Sequence, residues 1–304
     1  ALLSEAARLA KVEIGQPCGG QGRCGRCVVK VISGAVRRRS TLRLAPEQVE
    51  EGYALACQTV VEGDVVLHVP EQEKVERHLT TDRTVGEVEI PAHYDPETMQ
   101  SMHRLILRLT PPRMDDQTDD WSRLQTGLRQ TANFTRVNTS LEMLKRISGI
   151  LRQGDWSVTA VVELLSDEQG GGLRERLVDV LPRIVFEDEP LWGITVDIGT
   201  TTVTLWLVDL LTGEVKAQVA EYNGQISRGE DVISRIMYSA KDGGLEDIQK
   251  RVLDTINALV VRACQRANAN PNEIFKATIA GNSTMIHLLL GIPAQNIRLT
   301  PFIT

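Results

Sequence analysis

The sequence predicts a multidomain chain of mixed α+β and α/β class, and three observations predict it. Three cysteines and four glycines crowd into residues 17–27; residues 71–102 are polar and charged; and residues 193–209 read as a β-hairpin with a polar tip, followed by further strand and helix patterns. The chain has 304 residues, 42% of them hydrophobic, enough to bury cores without covalent staples. Its five cysteines are an odd count, and no signal-peptide pattern or membrane-length apolar run is present. The expectation is a reducing, cytoplasmic setting with no membrane partner. A net charge of −6 speaks against nucleic acid as the main partner.

The first element, "SEAARLAKVEI", reads as a short helix, and "RCVVKVISG" as a strand leaving the loop "PCGGQGRCGRC". The thiols run Cys18-x₅-Cys24-x₂-Cys27, with Cys57 standing alone before the closing strand "DVVLHVP". Structural zinc sites usually pair their cysteines in two C-x₂₋₄-C knuckles, so zinc is the competing reading, and the three-plus-one layout suits an iron–sulfur cluster better. A [2Fe–2S] cluster takes four thiolates, and backbone N–H groups hydrogen-bond to its sulfurs. Gly19, Gly20, Gly22 and Gly25 would let the loop wrap closely around it.

At these residues the chain resembles the plant-type and adrenodoxin-type [2Fe–2S] ferredoxins, over residues 1–70. The resemblance implies a β-grasp domain with Cys18, Cys24, Cys27 and Cys57 as cluster ligands. Ferredoxins of this type begin with a β-hairpin, whereas this sequence starts inside the helix, so that hairpin is expected to be missing.

Residues 71–102 read as a linker with one helical stretch, and residues 103–188 as a small α+β middle domain. "HRLILRLTPP" alternates as a strand with Leu105, Leu107 and Leu109 on one face. "TSLEMLKRISGILRQG" suggests a helix with a capping box from Thr139 to Glu142, an apolar face at Leu141, Leu144, Ile147 and Leu151, and a stop at Gly154. The acidic run Asp115 to Asp120 reads as a helix start before Trp121, Leu124 and Leu128, and the run Arg37 to Arg39 as a solvated loop. His78, His93 and His103 are isolated and carry no expected chemistry.

From residue 189 to 304 the pattern changes again. In "GITVDIGTTTVTLWLVD" a carboxylate, Asp197, ends a strand, and the tip Gly199, Thr200, Thr201 and Thr202 can offer N–H groups and hydroxyls to phosphate oxygens. Such a carboxylate can also meet Mg²⁺, often through water. "GEVKAQVAEYN" follows as a strand, "RGEDVISRI" opens a helix, and "IFKATIAGNSTMIHLLLG" turns from strand to helix. This series looks like the first lobe of the acetate-and-sugar-kinase, Hsp70 and actin superfamily, a ribonuclease-H-like unit. Asp197 then faces Mg-ATP, and Asn282 is a weaker candidate for the opposite wall of the site. The second lobe, with its phosphate loop and adenosine pocket, has no counterpart in the sequence. Cys264 lies beside a helical face of Ile248, Val252, Ile256, Leu259 and Ala263 and reads as a buried small hydrophobe.

The three parts in this order, through "QPCGGQGRCG", "DIGTTT" and "AGNSTM", resemble the reductive activators of corrinoid proteins. The resemblance implies ATP-dependent delivery of one low-potential electron to a cobalamin-bearing methyl-transfer protein, which returns Co(II) to Co(I). An upstream low-potential donor would reload the cluster, and a homodimer is compatible with it. Two rivals remain: a ferredoxin-type component of a reductase and oxygenase system, which should carry a flavin motif such as R-x-Y-S that the sequence lacks, and a redox-sensing, kinase-like ATPase.

Overall fold

The computed structural model describes residues 1–71, 95, 99–166, 173–186 and 188–304. Most of the expected linker with its helical stretch, and also His78 and His93, lie outside the described residues.

Three sheets organise what is described. The first has the order β2-β1-β3, all antiparallel, with β1 at Val28–Arg38, β2 at Tyr53–Leu55 and β3 at Thr59–His68. Helix α1 (Leu3–Leu9) buries Leu3 and Ala7 against Val29, Ala54 and Leu55, and α2 (Pro46–Glu50) flanks β2. This is the β-grasp ferredoxin part. Arg37 and Arg38 belong to β1, in register with Val60 and Thr59, and not to a solvated loop. Their guanidinium groups still reach outward, to Glu62 and to the Tyr53 carbonyl. Pairing with β3 carries the strand past the point where charge alone would end it.

The second sheet, β4-β5-β6, is antiparallel and comprises β4 (Met102–Arg108), β5 (Ser157–Ser166) and β6 (Leu173–Leu181). Strand β4 starts at Met102, within the expected linker, because Met102 pairs with Glu163 and is buried. Helix α3 (Asp120–Ala132) is capped by Asp119, whose carboxylate accepts from the Ser122 N–H, and Leu124 and Leu128 are fully buried as the spacing predicts. Burial of each stabilises the fold by about 2 kcal/mol.

Helix α4 (Leu141–Gln153) corrects the expected cap and face. Ser140, not Thr139, is the N-cap, accepting from the Met143 N–H, while the Thr139 hydroxyl donates to the Leu177 carbonyl. Leu141 and Leu144 are exposed, and Met143, Ile147, Ile150 and Leu151 are buried. Adjacent Thr and Ser can both cap, so packing on β6 decides the start. Ile147 and Leu151 are thus buried as expected, while Met143 and Ile150 take the places expected of Leu141 and Leu144.

The third sheet has the order β10-β7-β8-β9, with β7 (Trp192–Ile198), β8 (Thr202–Asp209) and β9 (Val215–Tyr222) antiparallel in turn and β10 (Ile274–Gly281) parallel to β7. Three meandering strands with a fourth placed parallel beside the first give the ribonuclease-H-like sheet order expected of this C-terminal lobe. Helix α5 (Val232–Ser239), the long α6 (Gly244–Ala267) and α7 (Ser283–Leu290) complete it. Ile248, Val252, Ile256, Leu259 and Ala263 pack from α6 into the same core as Val196, Leu205 and Val219, and Cys264 is buried with them. Burial raises the Cys264 thiol pKa, in keeping with an inert structural cysteine. Among the described residues no helix is long and apolar enough to cross a membrane.

Candidate functional site

All five cysteines are unpaired, and the four N-terminal ones converge. Cys18, Cys27 and Cys57 are buried, with Cys24 at the rim. They meet as two pairs. The Cys27 thiol donates to Cys57 across 3.2 Å, and Cys24 donates to Cys18. Among the described residues no three Cys, His, Asp or Glu side chains converge as a single metal ion would need. Two pairs are instead what a binuclear cluster requires, since each iron takes two thiolates.

The loop supplies the remaining fit. Burial would raise the Cys18 thiol, yet the N–H groups of Cys24, Arg23 and Gln21 outweigh it and hold Cys18 below its ordinary value. Cys57 is drawn down to about 6, first because it accepts from Cys27, with Gln58 and the Gly22 N–H assisting. Cys27 is pushed up by that same bond and by burial. Backbone donors aimed at sulfur favour the thiolate, which is the ligand form. Gly19, Gly20, Gly22 and Gly25 all have positive φ, between 64° and 77°.

Two of those glycines serve a second purpose that the sequence does not announce. A Cβ on Gly19 would lie 2.3 Å from the Ser234 carbonyl of α5, and one on Gly20 would lie 2.0 Å from the Lys241 ammonium. The C-terminal lobe therefore presses on the cysteine loop. Backbone bonds join them at Gln16 N–H to Ser227 (2.6 Å) and Glu230 N–H to Pro17 (2.7 Å). Buried Arg228 donates to the Ile14 carbonyl at 2.9 Å and pairs with Asp247 at 2.6 Å. Tyr238 also donates to Asp247. Burial alone would raise the Asp247 carboxyl, but these donors hold it below the usual range. Burial likewise depresses the Lys241 ammonium, while Cys57 and Cys18 act in the opposite direction.

The second site is the tip between β7 and β8. The Gly199 N–H closes the turn onto the Thr202 carbonyl at 2.9 Å. The carbonyls of Gly199 and Thr201 both accept from Asn223, through Nδ2 and N–H, each at 2.9 Å, and the Thr200 carbonyl accepts from Arg235. Because each peptide is planar, tying these carbonyls inward turns the N–H groups of Thr200 and Thr201 outward. Neither has a protein acceptor among the described residues. That is an anion-ready backbone.

Asp197 is exposed at the end of β7, in register with Thr204 and Ala280, and no protein donor engages it among the described residues. Gly281 is in register with Ile198, so Asn282 follows at the same edge as the tip. Its Oδ1 caps α7 by accepting from the Met285 N–H at 3.0 Å, which leaves Nδ2 to reach a ligand.

Arg235 is the functional residue that sequence reasoning missed. It is fully buried, and besides Thr200 it donates to the Gly229 carbonyl (2.9 Å) and to Gln225 (3.1 Å). Burial lowers its pKa to about 10, with Asp231 opposing, so it stays charged at neutral pH. An arginine set among Val232, Ile233 and Ile236 of "RGEDVISRI" is the available signal.

Three family models match along the chain: a 2Fe-2S iron-sulfur cluster binding domain over residues 1–62, the RACo linker region over 93–184 and the RACo middle region over 192–304. The part read as a middle α+β domain thus corresponds to the linker region, and the part read as an ATPase lobe to the middle region. The corrinoid activation enzyme RamQ of Eubacterium limosum is 27% identical over 288 residues, which are 94% of this chain and 42% of that protein. The solved structure of a reductive activator for corrinoid, iron–sulfur protein is 35% identical with a TM-score of 0.53, over 99% of this chain and 48% of its own. The reductase component of the naphthalene 1,2-dioxygenase system of Pseudomonas putida is 33% identical over 93 residues, 30% of this chain and 26% of its own. The chain spans about half the length of the corrinoid-activating relatives. A 2Fe–2S cluster-binding domain followed by the RACo linker and middle regions is thus matched in order along a chain that is similar, over 99% of its length, to a reductive activator for corrinoid, iron–sulfur protein.

Proposed function

We propose that the protein is an ATP-dependent one-electron reductive activator that returns Co(II) of a corrinoid methyl-transfer protein to Co(I) in the cytoplasm, drawing electrons from a low-potential donor. In this reading Cys18, Cys24, Cys27 and Cys57 hold a [2Fe–2S] cluster, and Asp197, Gly199, Thr200, Thr201 and Thr202, with Asn282 opposite, receive Mg-ATP. Its domains are residues 1–70, a linker at 71–102, a middle domain at 103–188 and the ATPase lobe at 189–304.

One observation carries the reading: a single stretch, residues 223–241, grips both sites. Asn223 and Arg235 hold the phosphate tip, while Ser227, Arg228, Glu230 and Lys241 hold the cysteine loop. A bound cluster supplies the one-electron chemistry. The chain's own residues do the rest. Asp197 orients the hydrated cation, the Thr200 and Thr201 N–H groups take the phosphate oxygens, and Arg235 passes a change at the tip to Gly229 and the loop beyond. Such a link is needed because each ~59 mV of uphill potential costs about 1.4 kcal/mol. A gap of ~200 mV therefore costs roughly 5 kcal/mol, beyond the ~1–3 kcal/mol of ordinary coupling between sites. Displacement of an axial cobalt ligand in the complex, with ATP turnover to reset it, would make up the difference.

The test is full-length protein with a corrinoid partner and a chemical reductant. Co(I), followed by its absorption, should appear only with Mg-ATP. Asp197→Ala should lower ATP hydrolysis by about 10²-fold, with the cluster absorbance intact. Equal Co(I) formation without nucleotide would reduce the protein to a simple ferredoxin-type carrier.

A further inference from the structure

Lys241 brings a positive charge from the ATPase lobe to the cysteines, where Glu230 of the same lobe brings a negative one to Arg26. It lies in the turn between α5 and α6, and its ammonium fills the space left by the missing side chain of Gly20. The charges acting on it are chiefly Cys57 and Cys18, then Glu5 and Cys27. Among the described residues no carboxylate lies within ion-pair distance of it, and its ring contact is Tyr238, 5.2 Å from nitrogen to centroid. Gln16 Oε1, buried without a partner, points to the same spot, 2.7 Å from where a Gly20 Cβ would be. A half-buried ammonium without a carboxylate is unfavourable unless other negative charge offsets it. Cysteine thiolates on a bound cluster would be that charge.

We infer that Lys241 sets the reduction potential of the [2Fe–2S] cluster, so that the potential depends on how the ATPase lobe is docked. The inference rests on the four-cysteine assignment above. Reduction adds one negative charge, and a fixed positive charge in a partly desolvated site favours the reduced state. Docked, the lobe makes the cluster easier to reduce. Any movement that withdraws the turn at residue 241 makes it a stronger reductant, which is the direction needed to reach Co(I).

Anaerobic redox titration of the reconstituted full-length protein, read by visible absorption and electron paramagnetic resonance, tests this. K241M should shift the one-electron equilibrium toward the oxidised cluster about tenfold, a midpoint lower by ~59 mV, at unchanged iron and sulfide content. K241R should stay near the wild type. A fully loaded K241M with an unmoved midpoint overturns the inference. Should K241M lose its cluster, K241Q, which keeps a polar head beside Gln16, carries the same comparison. Loss in both with retention in K241R also overturns it, since the charge would then hold the cluster and not tune it. A wild-type protein that assembles no [2Fe–2S] cluster sinks the cysteine assignment, and this inference with it.

Discussion

The cysteine loop and the tip between β7 and β8 are both glycine-bearing turns beside a strand end, yet they are held by different means. The tip is fixed from within its own lobe, by Asn223 at the end of β9 and Arg235 on α5. The cysteine loop is held from two sides: Gln58 and Ala56 bond it within its own domain, while Ser227 and Glu230 bond it, and Ser234 and Lys241 pack on Gly19 and Gly20, from more than two hundred residues away in sequence. The difference teaches where each site is vulnerable. Damage to residues 223–241 should reach both the tip and the cysteine loop, whereas a change at the exposed Asp197 carboxylate should stay local.

The largest effect expected is on the cluster itself. Cys57→Ser removes one of two thiolates from its pair and should abolish most iron and sulfide incorporation, while Cys264→Ser leaves it unchanged; elemental analysis distinguishes them. Next comes Arg235→Met, which strands the carbonyls of Thr200 and Gly229 in the interior. Each orphaned group costs about 1–3 kcal/mol, so chemical denaturation should register a loss of about 3 kcal/mol. A loss below about 1 kcal/mol would mean that the tip is held by something else.

A smaller effect separates inside from outside directly. Gly20 and Gly25 have nearly equal φ, 77° and 73°, so alanine pays a similar backbone cost at each, about 1–2 kcal/mol. Only at Gly20 does the added Cβ also meet the lobe; at Gly25 the nearest atom is Cβ of Arg43, 3.3 Å away in the loop's own domain. Gly20→Ala should therefore be the more damaging by about 1 kcal/mol. Equal losses would break the comparison. The smallest effect belongs to Arg26→Ala: its 2.9 Å pair with Glu230 crosses between the domains, but both side chains are about half exposed. Under ~1 kcal/mol is expected, vanishing at high salt.

What the sequence determined alone was local. Cysteine spacing, the hairpin of residues 193–209 and the α6 face at Ile248, Val252, Ile256, Leu259 and Ala263 were legible because pleat and helix periods repeat over a few residues. Tertiary structure decided wherever two local answers were nearly equal. Ser140 displaced Thr139 as a cap because Met143 and Ile150 found a core there, and Arg37 and Arg38 became strand because β3 lay beside them. It alone also decided that Gly19 and Gly20 face another domain, that Lys241 lies against Gly20, and that Arg235 ties the tip to Gly229. No periodicity encodes a contact between residue 20 and residue 241, because docking depends on the matched shapes of two folded surfaces and not on the order of side chains along either one.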